Sequence, residues 1–169
     1  MNKNIVLIGM PGSGKTTLGD ILSKELKLNF CDIDKFIEET ENKSIPEIFN
    51  ISEEHFRTIE TKAIEEVALK SNFVVSTGGG VIKSPYNMKL LKRNGLVIFI
   101  NRPIDNIIRD ISTSNRPLLK NDINKLYVLY NERYELYKKY CDYEIINDTG
   151  LCDTVSKIKN ILLKAGDIS

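Results

Sequence analysis

The chain has 169 residues, of which 41% are hydrophobic and 28% are charged, values typical of a single globular domain. Its 24 basic side chains nearly balance 23 acidic ones, which argues against a dedicated nucleic-acid-binding protein, since such proteins usually carry a basic excess. No apolar run has the length of a membrane span, and the first residues lack the apolar segment of a signal peptide. We therefore expect a cytoplasmic protein without a nucleic-acid or membrane partner.

Three cysteines and one histidine limit the metal and redox chemistry that the chain can support. Cys31, Cys141 and Cys152 lie far apart, without the spacing of a metal site or a disulfide framework, so we expect reduced thiols. His55 is the single histidine, which removes most histidine-based zinc sites and catalytic triads from consideration.

Short apolar or β-branched segments alternate along the chain with longer segments in which apolar residues recur every three or four positions. The predicted strands cover residues 4–9, 29–33, 73–77, 96–100 and 143–147. Helical periodicity between them, and again over residues 151–163, predicts a parallel sheet with helices on both faces. We therefore expect one three-layer α/β domain over residues 1–169, with a five-stranded parallel sheet.

Ligands of such a sheet bind beyond the carboxyl ends of its strands. The segments just past the predicted strand ends are polar or rich in glycine, unlike the strands themselves. They comprise residues 9–16, 32–34, 78–80, 101–102 and 147–149. We expect these segments to lie along one edge of the sheet.

The segment Gly-Met-Pro-Gly-Ser-Gly-Lys-Thr-Thr at residues 9–17, which we call the phosphate loop, matches a nucleotide-binding pattern between a predicted strand and a predicted helix. Glycines let backbone N–H groups turn towards phosphate oxygens, and the helix adds the positive end of its dipole. Lys15 would contact the outer phosphates, and the Thr16 hydroxyl would help to bind Mg²⁺. The simpler alternative is a glycine-rich turn without a ligand. The candidate ATP-binding residues of this segment are Gly12, Ser13, Gly14, Lys15, Thr16 and Thr17.

Two carboxylates follow the second predicted strand, in the segment Asp32-Ile33-Asp34. The alternation of an extended chain would place both carboxylates on one side and Ile33 on the other. One acid could belong to the Mg²⁺ shell while the other accepts hydrogen bonds from a substrate hydroxyl. The alternative, which the motif alone favours, is that one of them caps the helix that follows Asp34.

Arg57 lies four residues after Glu53 and three before Glu60, a spacing that suits an ion pair on a helix surface. The functional alternative is a guanidinium that a carboxylate holds in place as a bidentate partner for a substrate carboxylate. Three consecutive glycines at residues 78–80 follow the third predicted strand and indicate a close approach of the backbone to a ligand.

As a set, these motifs resemble the shikimate kinase family over nearly the whole chain. The matching elements are the phosphate loop, Asp32-x-Asp34, the Ile-x-x-Ile-Phe stretch at 45–49, Phe56-Arg57-x-x-Glu60, Thr77-Gly-Gly-Gly, Arg116-Pro-Leu-Leu, and Arg133 with Tyr137. The glycine turn and the Phe-Arg-x-x-Glu element make the resemblance more specific than a phosphate loop alone. It implies a P-loop kinase fold and transfer of the γ-phosphate of ATP to the 3-hydroxyl of shikimate, on the route to chorismate and the aromatic amino acids.

The resemblance implies that a substrate-binding segment at about 33–61 contributes to a pocket for shikimate. Asp34 would bind the shikimate hydroxyls and aid their deprotonation. Arg57 and Arg133 would pair with the shikimate carboxylate, and the backbone N–H of Gly79 would contact a ring hydroxyl. The residues that would shape or brace this pocket are Phe49, Phe56 and Glu60.

For the nucleotide, the resemblance implies that Thr16 and, through water, Asp32 bind one Mg²⁺ ion. Arg116 would come from a mobile lid at about 110–122 and reach the phosphates, while Arg109 packs against adenine. The polar stretch before Arg116 suits a lid, although the alternative is an ordinary surface loop with a solvated arginine. The implied catalytic residues are Lys15, Asp34 and Arg116. We expect ATP and shikimate as the partners of a monomer.

Three departures from the family pattern affect the expected site. Ser52 stands where the family usually has glycine before Glu53, so the local turn could differ. Glu135 stands where the family often has proline, which would leave Arg133 within a continuous helix. The segment at 148–152 matches no sharp pattern, so we assign no individual adenine contact to it.

The main alternatives are another small-metabolite kinase of this fold, such as a gluconate kinase, and a nucleoside monophosphate kinase. The latter would need a groove for a second nucleobase and more arginines in the lid than Arg116. A nucleotide-binding module that has lost catalysis would typically lack a reacting residue, whereas the implied catalytic residues are all present. The sequence therefore favours an active kinase of small metabolites.

Overall fold

The computed structural model describes residues 3–113 and 123–166. The strands of this part of the chain are β1 (Asn4–Ile8), β2 (Asn29–Asp32), β3 (Phe73–Ser76), β4 (Gly95–Asn101) and β5 (Tyr143–Ile146). The helices are α1 (Lys15–Leu26), α2 (Ile33–Glu41), α3 (Ile45–Ile51), α4 (Glu53–Ala68), α5 (Pro85–Arg93), α6 (Ile104–Thr113), α7 (Ile123–Tyr140) and α8 (Leu151–Lys164), with a 3₁₀ turn at Val81–Lys83. Each predicted strand, and the closing helix, is confirmed to within one residue at either end.

The five strands form one parallel sheet in the order β2-β3-β1-β4-β5. β1 is the central strand, and Ile5 pairs with Val74 of β3 on one side and Leu96 of β4 on the other. All five residues of β1 are buried, as expected for a strand that helices cover on both faces. The carboxyl ends of β1, β3 and β4 therefore lie side by side, which is where an open parallel sheet binds its ligands.

The hydrophobic core consists of two clusters, one on each face of the sheet. Val6 and Ile8 of β1 belong to the larger cluster, which includes side chains of α2, α4 and α5. Ile5 and Leu7 belong to the other cluster, with side chains of α1 and α8. This alternation follows from the two-residue period of a strand and confirms the three-layer arrangement.

Among the described helices, none combines the length and the apolar character that crossing a bilayer would require. The three cysteines are free, as expected from their spacing.

Candidate active site

The phosphate loop connects the carboxyl end of β1 to the start of α1. Gly12 and Gly14 have left-handed backbone conformations, with φ of 80° and 95°, and Ser13 donates a backbone hydrogen bond to the Met10 carbonyl at 3.1 Å. α1 begins at Lys15 without a side-chain cap and without an acidic residue in its first turn. The N–H groups at this helix start, together with the helix dipole, form a site that favours an anion.

Lys15 lies beneath this loop, with 7% of the residue exposed. Its ammonium donates hydrogen bonds to the carbonyl oxygens of Gly9 and Met10, both at 2.9 Å. Burial lowers the pKa of Lys15 from 10.5 to about 8, although the carboxylates of Asp34 and Asp32 act in the opposite direction. Since an ammonium has three donors, one N–H beyond these two bonds can serve a phosphate oxygen.

Thr16 and Asp32 form the hydroxyl–carboxylate pair that the sequence suggested for a metal. The Thr16 hydroxyl donates to Asp32 Oδ2 at 2.6 Å, and it lies 3.4 Å from the hydroxyl of Ser76. Asp32 Oδ1 accepts the backbone N–H of Lys35 at 3.2 Å and so caps α2. Asp32 is therefore the cap residue of the pair. Ser76, at the end of β3, brings a second hydroxyl to this pair, and no sequence pattern indicated that it would lie there.

Asp34 lies in the first turn of α2, so the extended alternation expected for Asp32-Ile33-Asp34 is wrong. β2 ends at Asp32 because this residue caps the helix that begins at Ile33. Burial raises the pKa of the Asp34 carboxyl, and the charge of Asp32 adds to this effect, whereas Lys15 and Arg57 oppose it. Asp32 and Asp34 nevertheless both lie near Lys15, since the charge of each carboxylate raises the pKa of that lysine.

A cavity of about 240 Å³ lies beside the phosphate loop. Its lining residues are Pro11, Asp34, Ile45, Phe49, Phe56, Arg57, Glu60, Gly78, Gly79, Gly80, Leu129 and Arg133. Phe49 and Phe56 stack with ring centroids 4.2 Å apart and planes 24° from parallel. The cavity thus brings together every residue that the sequence predicted for a shikimate pocket, with apolar rings and charged groups on its walls.

Arg57 lines this cavity and is held by two carboxylates of its own helix. Its guanidinium donates to Glu60 Oε2 at 2.7 Å and to Glu53 Oε1 at 3.3 Å, while Lys83 also donates to Glu53 at 2.8 Å. Only 23% of the Arg57 side chain is exposed, and the Glu60 side chain is almost fully buried. Of the two alternatives for Arg57, these contacts favour a guanidinium that carboxylates hold in place. An ion pair on the helix surface would instead leave both partners in solvent.

Arg133 reaches the cavity from α7 and donates to the Gly79 carbonyl at 3.1 Å. The hydroxyl of Tyr137, one turn further along, donates to the same oxygen at 2.5 Å. Burial raises the pKa of Tyr137 to about 12, so the hydroxyl remains a donor at physiological pH. α7 is continuous through Arg133, as predicted from the absence of proline after this residue.

The glycine turn at 78–80 is explained by the side chains around it. A Cβ at Gly78 would lie 3.0 Å from Asp34 Oδ1 and 3.2 Å from Glu60 Oε1, and one at Gly80 would collide with the guanidinium of Arg57. The turn therefore needs glycine so that these charged groups can approach the backbone. The sequence predicted a close approach but attributed it to a ligand.

Several buried polar atoms of the described residues have no hydrogen-bond partner within the protein. Asp34 Oδ1, Arg57 Nε and Glu60 Oε1 belong to residues of the cavity. Unpaired buried polar atoms are costly and rare in folded proteins, so the wall of this cavity is unusually polar.

A family model described as shikimate kinase matches residues 11–162. A shikimate kinase of Clostridium botulinum (strain Alaska E43 / Type E3) is 47% identical over 163 residues, covering 96% of this chain and 99% of the relative. The chain belongs to the shikimate kinase family. Members transfer the γ-phosphate of ATP to the 3-hydroxyl of shikimate, giving shikimate 3-phosphate and ADP, and the chain is an ATP-dependent phosphotransferase of this reaction.

Three further comparisons agree with this assignment. A shikimate kinase of Clostridium beijerinckii is 44% identical, covering 96% of each chain. The solved structure of shikimate kinase from Acinetobacter baumannii in complex with shikimate has a TM-score of 0.90 at 34% identity, covering 98% of this chain and 95% of that one. The corresponding structure from Aquifex aeolicus has a TM-score of 0.85 at 32% identity, covering 96% and 98%. The expected P-loop kinase fold is confirmed.

One departure from the family pattern, Ser52, has a local explanation in the structure. Ser52, in place of glycine, has φ of −173° and ψ of 157°, which is extended backbone open to any residue. Its hydroxyl accepts the backbone N–H of His55 at 2.9 Å and so caps α4. Serine at this position therefore caps the helix, and its backbone is not strained by the loss of glycine.

Arg109 and Arg116 are the remaining residues that the sequence predicted for the nucleotide, and Arg109 does not line the cavity. Arg109 is exposed on α6. Arg116, and the predicted lid beyond residue 113, lie outside the described residues. Two residues that the sequence indicated only by their place after β4 and β5 contact the phosphate loop instead: Arg102 donates to the Gly12 carbonyl at 3.4 Å, and Asn147 to that of Ser13 at 2.9 Å.

The groups near Thr16 fit a magnesium ion that ATP brings with it. The Thr16 hydroxyl lies in contact with both the Asp32 carboxylate and the Ser76 hydroxyl, and all three are hard oxygen ligands. In the described ranges, no three His, Cys, Asp or Glu side chains form a metal-binding cluster.

Proposed function

We propose that the cavity beside the phosphate loop binds shikimate while the loop itself binds the phosphates of ATP. The observation that carries this proposal is the position of Asp34. Its carboxylate interacts electrostatically with Lys15 of the loop and with Arg57 of the cavity, so it stands between the two halves of the site. A hydroxyl bound at Asp34 would thus lie next to the phosphate donor.

The cavity has the chemistry that shikimate requires. Shikimate is a small carboxylate that carries several hydroxyls, so its site needs cationic donors and hydrogen-bond acceptors. Arg57 and Arg133 supply the cations, and the stacked rings of Phe49 and Phe56 offer an apolar wall. Glu60 holds the guanidinium of Arg57, so little freedom is lost when the substrate binds.

Asp34 would accept the proton of the reacting hydroxyl. Burial raises its pKa, which moves the carboxylate closer to the working pH and makes it a stronger proton acceptor. Its Oδ1 is buried and has no hydrogen-bond partner within the protein, so the carboxyl is not already committed to a protein donor through this oxygen. Gly78 leaves the space in which this carboxylate can lie.

Lys15 and the first turn of α1 would offset the negative charge of the transferred phosphoryl group. Thr16 and Asp32 would hold one Mg²⁺ ion, which when bound neutralises charge on the phosphates. Arg116 would add a charge from a lid at about 110–122, and Arg109 would pack against adenine. These roles follow from the family and from the position of the loop.

We further propose the setting in which this site works. Residues 1–169 would form one domain, in which the segment at about 33–61 contributes to the substrate pocket. The protein would act as a monomer in the cytoplasm, with ATP and shikimate as its partners.

The substitution Arg57→Ala tests the assignment of the cavity. It removes one charge-assisted clamp, so the KM for shikimate should rise at least about tenfold while the KM for ATP changes little. Lys62→Ala is the matched control, because Lys62 is an exposed cation on the same helix and does not line the cavity. An equal rise in the KM for ATP would place Arg57 in the nucleotide site.

A further inference from the structure

Asn147 is a buried residue just beyond β5 to which none of the roles proposed above has been assigned. It is 6% exposed, and both ends of its side-chain amide are hydrogen-bonded. Nδ2 donates to the Ser13 carbonyl at 2.9 Å, and Oδ1 accepts the hydroxyl of Thr154 at 2.9 Å. Asn147 therefore connects the first turn of α8 to the phosphate loop.

The bond from Asn147 fixes the direction of one peptide group in the phosphate loop. In a trans peptide, the carbonyl of one residue and the N–H of the next point in opposite directions. The peptide bonds of the described residues are trans, so the Ser13 carbonyl faces Asn147 and the Gly14 N–H faces the other way. This N–H directly precedes those of α1, which are the groups that favour an anion.

Other carbonyls of the phosphate loop are also held by side-chain donors. Lys15 bonds those of Gly9 and Met10, and Arg102 bonds that of Gly12 at 3.4 Å. Arg102 is itself paired with Asp110 at 2.6 Å, whereas Asn147 is neutral and well buried. Asn147 is thus the uncharged member of this set, so its effect on a phosphate comes through loop geometry rather than through its own charge.

We propose that Asn147 is a positioning residue for the nucleotide phosphates. It holds the Ser13–Gly14 peptide so that the Gly14 N–H is ready to donate to a phosphate oxygen. The inference rests on the proposed assignment of the phosphate loop to ATP. It gives the segment after β5 a role in phosphate binding that is separate from any contact with adenine.

The substitution Asn147→Ala, tested by inhibition kinetics, separates phosphate positioning from adenine binding. The probe is inorganic tripolyphosphate, which carries the phosphates of ATP and no base, used as a competitor of ATP. Loss of one oriented donor should raise both the KM for ATP and the inhibition constant of tripolyphosphate about tenfold, with little change in the KM for shikimate. An unchanged inhibition constant for tripolyphosphate would overturn the proposal, even if the KM for ATP rises.

Asn4→Ala is the matched control for lost stability. Asn4 is 3% exposed, its amide bonds the Lys70 carbonyl at 2.8 Å and the Phe73 N–H at 3.0 Å, and it lies at the amino end of β1, away from the loop. Asn4→Ala should lower the melting temperature about as much as Asn147→Ala does. It should leave the KM for ATP and the inhibition constant of tripolyphosphate unchanged. The same kinetic change in both variants would reduce Asn147 to a structural role and overturn the proposal.

Two more variants keep the test decisive. If Asn147→Ala does not fold, Asn147→Ser is the second variant, because it stays neutral and polar but is too short to reach the Ser13 carbonyl, so it should weaken tripolyphosphate binding to a similar extent. Lys15→Met tests the underlying assignment separately. If that variant binds tripolyphosphate normally, the phosphate site is misplaced, whereas normal binding by the Asn147 variants alone would refute only the positioning role.

Discussion

The burial of the Lys15 ammonium should destabilise the folded protein with a characteristic dependence on pH. The pKa of Lys15 falls from 10.5 to about 8 on folding, which corresponds to about 3 kcal/mol of lost stability below about pH 8, where the lysine is protonated in both the folded and the unfolded state. Because the folded state binds fewer protons between these two pKa values, the free energy of unfolding should rise as the pH increases through this window.

The substitution Lys15→Met removes this titration and keeps a long unbranched side chain. It also removes the donor to the Gly9 and Met10 carbonyls, a loss of stability that does not depend on pH. The free energy of unfolding of the wild type, minus that of Lys15→Met, should therefore increase by about 2 kcal/mol between about pH 7 and pH 9.5. In activity assays the same variant should lose nearly all kcat, because Lys15 stabilises charge on the transferred group.

Urea titrations of both proteins at several pH values measure this difference directly. Lys62→Met, which removes an exposed lysine outside the loop, serves as the control for the loss of a cation from the surface. If the difference between wild type and Lys15→Met were constant with pH, Lys15 would not be buried beneath the phosphate loop. Such a result would refute the reasoning about this residue.

Two other substitutions test the acceptor half of the site. Asp34→Asn should lower kcat by about 10²- to 10⁴-fold through loss of the proton acceptor. Since burial raises the Asp34 pKa, the folded state binds this proton more readily than the unfolded chain, and stability falls as the pH rises through the window between the two pKa values. Asp34→Asn should thus also raise the melting temperature at neutral pH. An unchanged kcat would contradict the assignment of Asp34 as the proton acceptor, and a lower melting temperature would contradict the reasoning about its burial. Gly78→Ala places a Cβ 3.0 Å from Asp34 Oδ1 and 3.2 Å from Glu60 Oε1, so steady-state kinetics should show reduced kcat/KM for shikimate, with the KM for ATP nearly unchanged.

Most of the fold could be predicted from the sequence because the strands are short apolar segments that end in glycine or polar residues. β1 illustrates this, since each of its residues is buried and the glycine-rich phosphate loop follows at once. The same reasoning failed for Asp34, because it extended the strand through a residue that belongs to a helix. The cap formed by Asp32 decides where that helix begins, and strand periodicity does not contain this information.

Local patterns predicted residues of the cavity but not the contacts that hold them. The spacing of Arg57 and Glu60 fits a surface pair as well as a buried one, and only the packing of α4 shows that Glu60 is buried. The bond from Asn147 to the phosphate loop joins residues 134 positions apart. No sequence spacing indicates such a contact, because it depends on how the carboxyl ends of β1 and β5 are arranged in the sheet.

The most direct test of the two-substrate site is a coupled assay of ADP release with Mg-ATP. Shikimate, gluconate and nucleoside monophosphates would be offered one at a time to the wild type and to Arg57→Ala. We predict turnover with shikimate by the wild type, a strongly raised KM for shikimate in the variant, and no turnover with the other acceptors. Turnover with gluconate or a monophosphate but not with shikimate would contradict the account.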